Sequence, residues 1–264
     1  MDILQAIVLG LVQGVTEFLP VSSSGHLVLL QNVMGVDSGS ALFFFFDTML
    51  HVGTLAAVVI VLRKDIAAIL RQPFGKTMRL LVVATIPIVV MTLLFGDFFE
   101  STFGGKTLGI EFLITGVLLV LAEKLGNPTR KFSSARYSDA LIMGVAQGIA
   151  VLPAVSRSGA TMAGGLLTGL DRESVARFSF LMSVIAIFGS VVYQAKDVVT
   201  KGLGEIPWAP VIAGTVMAAL SGILAVRFML NFIKRHKLYG FAAYVFIVGA
   251  LVLLDQNVFH LVFK

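Results

Sequence analysis

Apolar runs alternate with short polar segments along almost the whole chain. Six of them, near residues 41–62, 80–96, 108–123, 178–195, 208–226 and 239–256, approach or exceed what a helix needs to cross a bilayer core of about 30 Å, roughly 17 to 25 residues. Two further apolar stretches, 3–30 and 138–168, are interrupted by Pro, Gly and Ser. Proline removes a helix hydrogen bond, and serine competes for backbone partners. Such breaks survive at membrane depth only when buried in protein or lining a wet cavity. The pattern predicts an all-α integral membrane protein with six transmembrane helices and two re-entrant helix–loop–helix hairpins. It forms a single polytopic domain over 1–264, with a first repeat over about 1–125 and a second over about 137–256.

The two interrupted stretches are copies of each other. AIVLGLVQGVTEFLPVSSSG, from Ala6 to Gly25, aligns without a gap to ALIMGVAQGIAVLPAVSRSG, from Ala140 to Gly159, with eight identical positions. They differ where chemistry would sit: Glu17 faces Val151, Ser23 faces Arg157, and His26 faces Ala160. Three predicted spans separate the copies. An odd number makes the hairpins enter from opposite faces, as inverted repeats whose broken tips meet near the midplane.

Composition agrees with the membrane reading. The chain is 57% hydrophobic and 13% charged, against roughly 25% charged for a soluble domain. Cysteine is absent, which excludes disulfides and Cys-ligated metals. A basic excess can mark nucleic-acid binding, but here the basic residues sit in short loops, so no nucleic-acid partner is expected. Fifteen of the twenty Lys and Arg residues fall in 63–79, 124–136, 172–177 and 227–237, on one side of the predicted spans. By the positive-inside rule that side is cytoplasmic. Both termini, and the entry of the first hairpin, then lie outside. The N-terminus does not read as a cleavable signal peptide, since it lacks a basic segment and carries Asp2, Gln13 and Glu17.

Two motifs carry candidate chemistry. In Pro153–Thr161, PAVSRSGAT, Arg157 offers a permanent cation with a planar fork of donors suited to phosphate. Ser156, Ser158 and Thr161 flank it as candidate phosphate-binding hydroxyls, and a following helix N-terminus would aim N–H groups at an anion. In Glu17–His26, EFLPVSSSGH, Glu17 lies one turn after Gln13 on the same helix face. Together they offer oxygen ligands of the kind Mg²⁺ or Ca²⁺ prefers. Ser22, Ser23 and Ser24 are candidate nucleophiles or phosphate donors, and His26 a candidate base or nucleophile. Asp47 and His51 form an i, i+4 pair that either supports packing or lines an entrance. Asp139 reads as a helix cap.

These motifs resemble those of the undecaprenyl-diphosphate phosphatase family of bacterial membranes, also known as bacitracin-resistance proteins. The likeness covers nearly the whole chain. Gln13–Glu17 matches the family's E/Q-x-x-x-E motif, with Gln13 the neutral option, and Val21–His26 continues it. Ser156–Thr161 matches its second motif, usually preceded by Pro-Gly; here Ala154 follows Pro153. The resemblance implies a bacterial cytoplasmic-membrane enzyme with its site on the outer side. It would remove the terminal phosphate of a polyprenyl diphosphate lipid, and a homodimer is compatible with it. Glu17, Ser23, His26 and Arg157 would be catalytic. Glu17 and Gln13 would hold a divalent cation, Mg²⁺ or Ca²⁺. Ser23 or a water, deprotonated by His26, would attack, or His26 itself would. The alternative from a different class is a flippase or transporter of an anionic polyprenyl lipid, since broken helices also build transport sites.

Overall fold

The computed structural model describes residues 1–36, 41–102, 105–201 and 206–263, with side chains at 41, 97, 100, 101 and 194–201 left aside. Among the described residues, eleven α-helices run α1 Ile3–Phe18, α2 Ser23–Met34, α3 Ala41–Val61, α4 Arg63–Arg71, α5 Lys76–Thr102, α6 Leu108–Leu125, α7 Tyr137–Ile149, α8 Arg157–Leu167, α9 Arg172–Lys201, α10 Trp208–Phe232 and α11 Tyr239–Leu254. The described residues contain no strand, and a single isolated bridge joins Arg130 to Leu170.

Five of these helices are long and apolar enough to cross a membrane, within Leu42–Val61, Lys76–Gly96, Arg172–Tyr193, Trp208–Phe232 and Tyr239–Phe259. The protein is therefore an all-α, multi-pass membrane protein. The sixth expected span, near 108–123, forms α6. That helix has 18 residues and carries Glu111, Glu123 and Lys124, so its composition falls short of the other five. The exterior is apolar: Val82, Ile86, Val89, Leu93 and Leu94 of α5 are all exposed, as are Leu220 and Leu224 of α10. A surface of this kind needs lipid around it.

Both interrupted stretches fold as helix–break–helix. Asp2 caps α1, accepting from the Gln5 amide at 2.7 Å, while the Gln5 side chain accepts from the Asp2 amide at 3.0 Å. The helix ends at Leu19, whose extended backbone (φ −81°, ψ 147°) suits the residue before Pro20. The chain restarts at α2 with Ser22 as N-cap, and restarts at α8 with Ser156 as N-cap. Each serine accepts from a glycine amide three residues on, Gly25 at 3.3 Å and Gly159 at 3.0 Å. These four residues are identical between the copies because both copies perform the same capping. Gly10 and Gly144 match for another reason. A Cβ on Gly10 would collide with the Gly214 carbonyl of α10, and one on Gly144 with the Ala84 carbonyl of α5. Thus α1 packs closely on α10, and α7 on α5. Helix α3 packs against α9, and α6 against α11.

On the face rich in Lys and Arg, Arg130 grips Asp139 at 2.8 and 3.3 Å. Asp139 also accepts from the Arg136 amide at 2.8 Å, the expected capping of α7. Burial would push the Asp139 carboxyl up. The Arg130 guanidinium and the Arg136 amide outweigh this and hold it below the usual carboxylate range.

Candidate active site

The two breaks satisfy each other. The Ser22 hydroxyl donates to the Pro153 carbonyl at 2.9 Å, and the Ser158 hydroxyl donates to the Leu19 carbonyl at 2.8 Å. Leu19 and Pro153 are equivalent positions of the repeat. Each is a backbone acceptor left over by a broken helix, and each is served by a serine of the opposite copy. The tips of the two hairpins are thereby locked together.

At this junction Glu17, from the end of α1, forms an ion pair with Arg157, the first residue of α8. The Arg157 Nη2 donates to Glu17 Oε1. The Ser23 hydroxyl donates to Glu17 Oε2 at 2.5 Å, and the Gln13 amide donates to the same oxygen at 3.1 Å. Glu17 is only 2% exposed in its side chain, whereas Arg157 is 21% exposed. The carboxylate is sealed and the guanidinium remains reachable. A buried charge pair of this type persists only with further hydrogen bonds, which Ser23 and Gln13 supply.

The structure thus brings Gln13, Glu17, Ser23 and Arg157 together. Ser22, Ser156 and Ser158 lie at the same junction, but their hydroxyls serve the breaks and caps; Ser156 and Ser158 are 3.2 Å apart. Thr161 is turned away, bonded to the Arg157 carbonyl at 2.8 Å and to the Ser179 hydroxyl at 2.6 Å. Ser24 is half-buried in the first turn of α2. His26 departs from its expected pairing with Ser23. Its Nδ1 lies 2.6 Å from the Ser22 carbonyl and its Nε2 2.7 Å from the Tyr244 hydroxyl. The backbone one turn earlier captures one ring nitrogen and α11 the other, so the carboxylate bonded to Ser23 is Glu17.

Three residues of this junction carried no assignment in the sequence reading. Glu111 of α6 is buried and accepts from the Ala154 amide at 2.7 Å and from the Thr107 hydroxyl at 2.6 Å. Thr115, one turn on, accepts from the Ser156 amide at 3.0 Å and donates to the Ala154 carbonyl at 3.2 Å. Helix α6 therefore supplies the hydrogen bonds that the break after α7 lacks. An acid inside an apolar run was the available signal for Glu111. Tyr244 gave none. Asp47 and His51 bond to each other on α3, with His51 Nδ1 2.9 Å from the Asp47 carbonyl, and lie within electrostatic reach of Glu17.

Glu17 and Gln13 are also the donors that fit a divalent cation. The Gln13 Oε1 is buried without a hydrogen-bond partner. Among the described residues no group of three His, Asp or Glu gathers as a closed metal cage. One carboxylate and one amide oxygen suit a cation that keeps several water ligands.

Fold and junction together define a polytopic helical membrane protein with a sealed carboxylate, an accessible guanidinium and several hydroxyls between two broken helices. A family model for the bacitracin resistance protein BacA matches residues 6–251. The chain is 46% identical over 259 residues to an undecaprenyl-diphosphatase of Carboxydothermus hydrogenoformans, covering 97% of this chain and 98% of that one. It is 42% identical over 264 residues to an undecaprenyl-diphosphatase of Halothermothrix orenii, covering 98% and 100%. It is 46% identical over 257 residues to undecaprenyl-diphosphatase 3 of Bacillus cereus, covering 97% and 98%. The chain belongs to the bacitracin resistance protein BacA family.

Proposed function

We propose that this protein is an undecaprenyl-diphosphate phosphatase. It hydrolyses the lipid diphosphate to undecaprenyl phosphate and inorganic phosphate, returning the carrier to cell-wall synthesis. The observation that carries the reading is the Glu17–Arg157 pair, buried on the acid side and reachable on the cation side, with Ser23 bonded to the same carboxylate. The relatives that share the whole chain bear the corresponding name.

Arg157 and the N-terminus of α8 hold the diphosphate, the guanidinium by its planar fork and the helix by its free amides. Ser23 is the hydroxyl whose proton has an acceptor in place. Its Oγ attacks the terminal phosphorus, the proton passes to Glu17, and the bond to the bridging oxygen breaks to release undecaprenyl phosphate. Water then cleaves the Ser23 phosphoester and frees inorganic phosphate, with the His26 imidazole taking the water's proton. Glu17 and Gln13 would hold Mg²⁺ or Ca²⁺, which when bound would supply charge stabilisation on the transferred phosphoryl group. Ser22, Ser156 and Ser158 keep the two breaks in register around the phosphate, and Ser24 stands at the edge of the same turn.

The membrane arrangement proposed is six spans and two re-entrant hairpins related by a two-fold axis in the membrane plane. Helix α6 is the sixth span, its two acids partnered locally: Glu111 by hydrogen bonds from Ala154 and Thr107, Glu123 by Arg172 at 2.5 and 2.8 Å. An inverted repeat supports this through its exchanged partners, α1 on α10 and α7 on α5. The charge asymmetry of the loops supports a cytoplasmic-membrane location with the site opening outward. Phosphate release from undecaprenyl diphosphate by the purified protein in detergent tests the activity.

A further inference from the structure

His26 is held at both ring nitrogens and flanked by two aromatic rings. The Phe112 ring of α6 meets it edge-on, with centroids 5.3 Å apart, and the Tyr244 ring of α11 stacks parallel at 5.6 Å and 6°. The partners decide the tautomer. The Ser22 carbonyl can only accept, so Nδ1, 2.6 Å away, carries the proton. The neutral ring then presents a lone pair at Nε2, and the Tyr244 hydroxyl at 2.7 Å must donate to it. The imidazole is 8% exposed but Tyr244 is 44% exposed. The phenol hydroxyl caps Nε2, so a proton reaching or leaving that nitrogen crosses it.

We propose that Tyr244 is the outer member of a proton-carrying pair with His26. As the Ser23 phosphoester is hydrolysed, the attacking water gives a proton to the Tyr244 oxygen while the phenol's own proton passes to His26 Nε2. The phenol is regenerated, and the water's oxygen forms the new bond to phosphorus as the bond to Ser23 Oγ breaks. The Ser23 oxygen takes back the proton that Glu17 accepted in the first step, and His26 returns its proton to water through Tyr244. Parallel stacking holds the two groups in line through the transfer, and the Ser22 carbonyl stabilises the doubly protonated ring. This inference rests on the role given to His26 in the proposed reaction.

The test uses the full-length protein in detergent with undecaprenyl diphosphate as substrate. Tyr244→Phe keeps the stacked ring and removes only the hydroxyl. It should lower kcat at least about tenfold, with KM within about twofold. The same change in a His26→Ala background should cost nothing further. Nitrogen NMR of ¹⁵N-histidine protein should show His26 protonated at Nδ1, with an Nε2 resonance that moves in Tyr244→Phe. Wild-type kcat in Tyr244→Phe overturns the proposal, as does an undiminished loss in the His26→Ala background or a proton found on Nε2 in the resting protein. If His26→Ala itself keeps full turnover, the role of His26 fails and the catalytic role of Tyr244 falls with it, whatever the NMR shows of their bond. Phosphate release by the wild-type protein stands as the separate check on the phosphatase reading.

Discussion

Ser23 and Arg157 occupy the same position in the two copies of the repeat, and they hold the two oxygens of one carboxylate. Each is the first residue of the helix that follows a break, α2 or α8, and each donates to Glu17. The two copies share a scaffold, and their difference at a single register puts a hydroxyl on one side and a cation on the other. The pairing makes Glu17 the hub of the junction, in contact with both hairpins.

Arg157→Lys should lose most of the activity although the charge is retained. Lysine is a point donor and cannot present two parallel N–H groups to a phosphate. A fall of at least about tenfold in kcat/KM is expected, or about 1.4 kcal/mol of transition-state stabilisation. Steady-state phosphate release measures it, and near wild-type turnover would reduce Arg157 to a counter-charge.

Much of this was legible in the sequence. The gapless repeat pointed to Gln13, Glu17, Ser23 and Arg157, and its interruptions located both helix breaks. What was not legible depends on contacts across large sequence separations. The Ser158 bond to Leu19 spans 139 positions and the His26 bond to Tyr244 spans 218. No local spacing encodes either. The family resemblance implied that His26 serves Ser23 or a water, but the Ser22 carbonyl, at i−4, takes the Nδ1 and the Ser23 hydroxyl turns to Glu17. Glu111 is an acid in an apolar helix, yet its partner is a backbone amide 43 positions away that only the fold brings near.

Glu111→Leu should destabilise the protein and disable it together. It leaves the buried Ala154 amide and the Thr107 hydroxyl without partners, and one such orphan costs about 1–3 kcal/mol. Thermal unfolding in detergent should shift downward. Glu111→Gln, which keeps an acceptor for Ala154, should recover part of both stability and phosphate release. Equal melting of the Leu variant and wild type would show that α6 does not hold the break.

The proposed outward opening predicts the side from which the site can be reached. The chain has no cysteine, so Ser24→Cys introduces a single label position in the first turn of α2. A membrane-impermeant thiol reagent should modify it in intact cells, and undecaprenyl diphosphate should protect it. Modification only in inside-out vesicles would reverse the proposed orientation.

The Arg130–Asp139 clamp should make the basic face acid-sensitive. The folded carboxyl is held below its ordinary value of about 3.9, first against burial and then through Arg130 and the Arg136 amide. Its contribution is therefore present in full above the unfolded value, and is lost as pH falls below that value through the folded one. Asp139→Asn should be less stable than wild type near pH 6, with the gap closing below about pH 4. A gap independent of pH over that range would show that the charge of Asp139 is immaterial.

The most direct test of the Glu17-centred site is the initial rate of phosphate release from undecaprenyl diphosphate across a Mg²⁺ titration, for wild type and Glu17→Gln. Removing the charge of Glu17 takes away the base for Ser23, the ion-pair partner of Arg157 and the charged ligand of the proposed cation. The rate should fall at least about a hundredfold, and any residual activity should require higher Mg²⁺. An unchanged Mg²⁺ dependence with only a modest loss of rate would contradict the account, leaving Glu17 as a structural partner of Arg157.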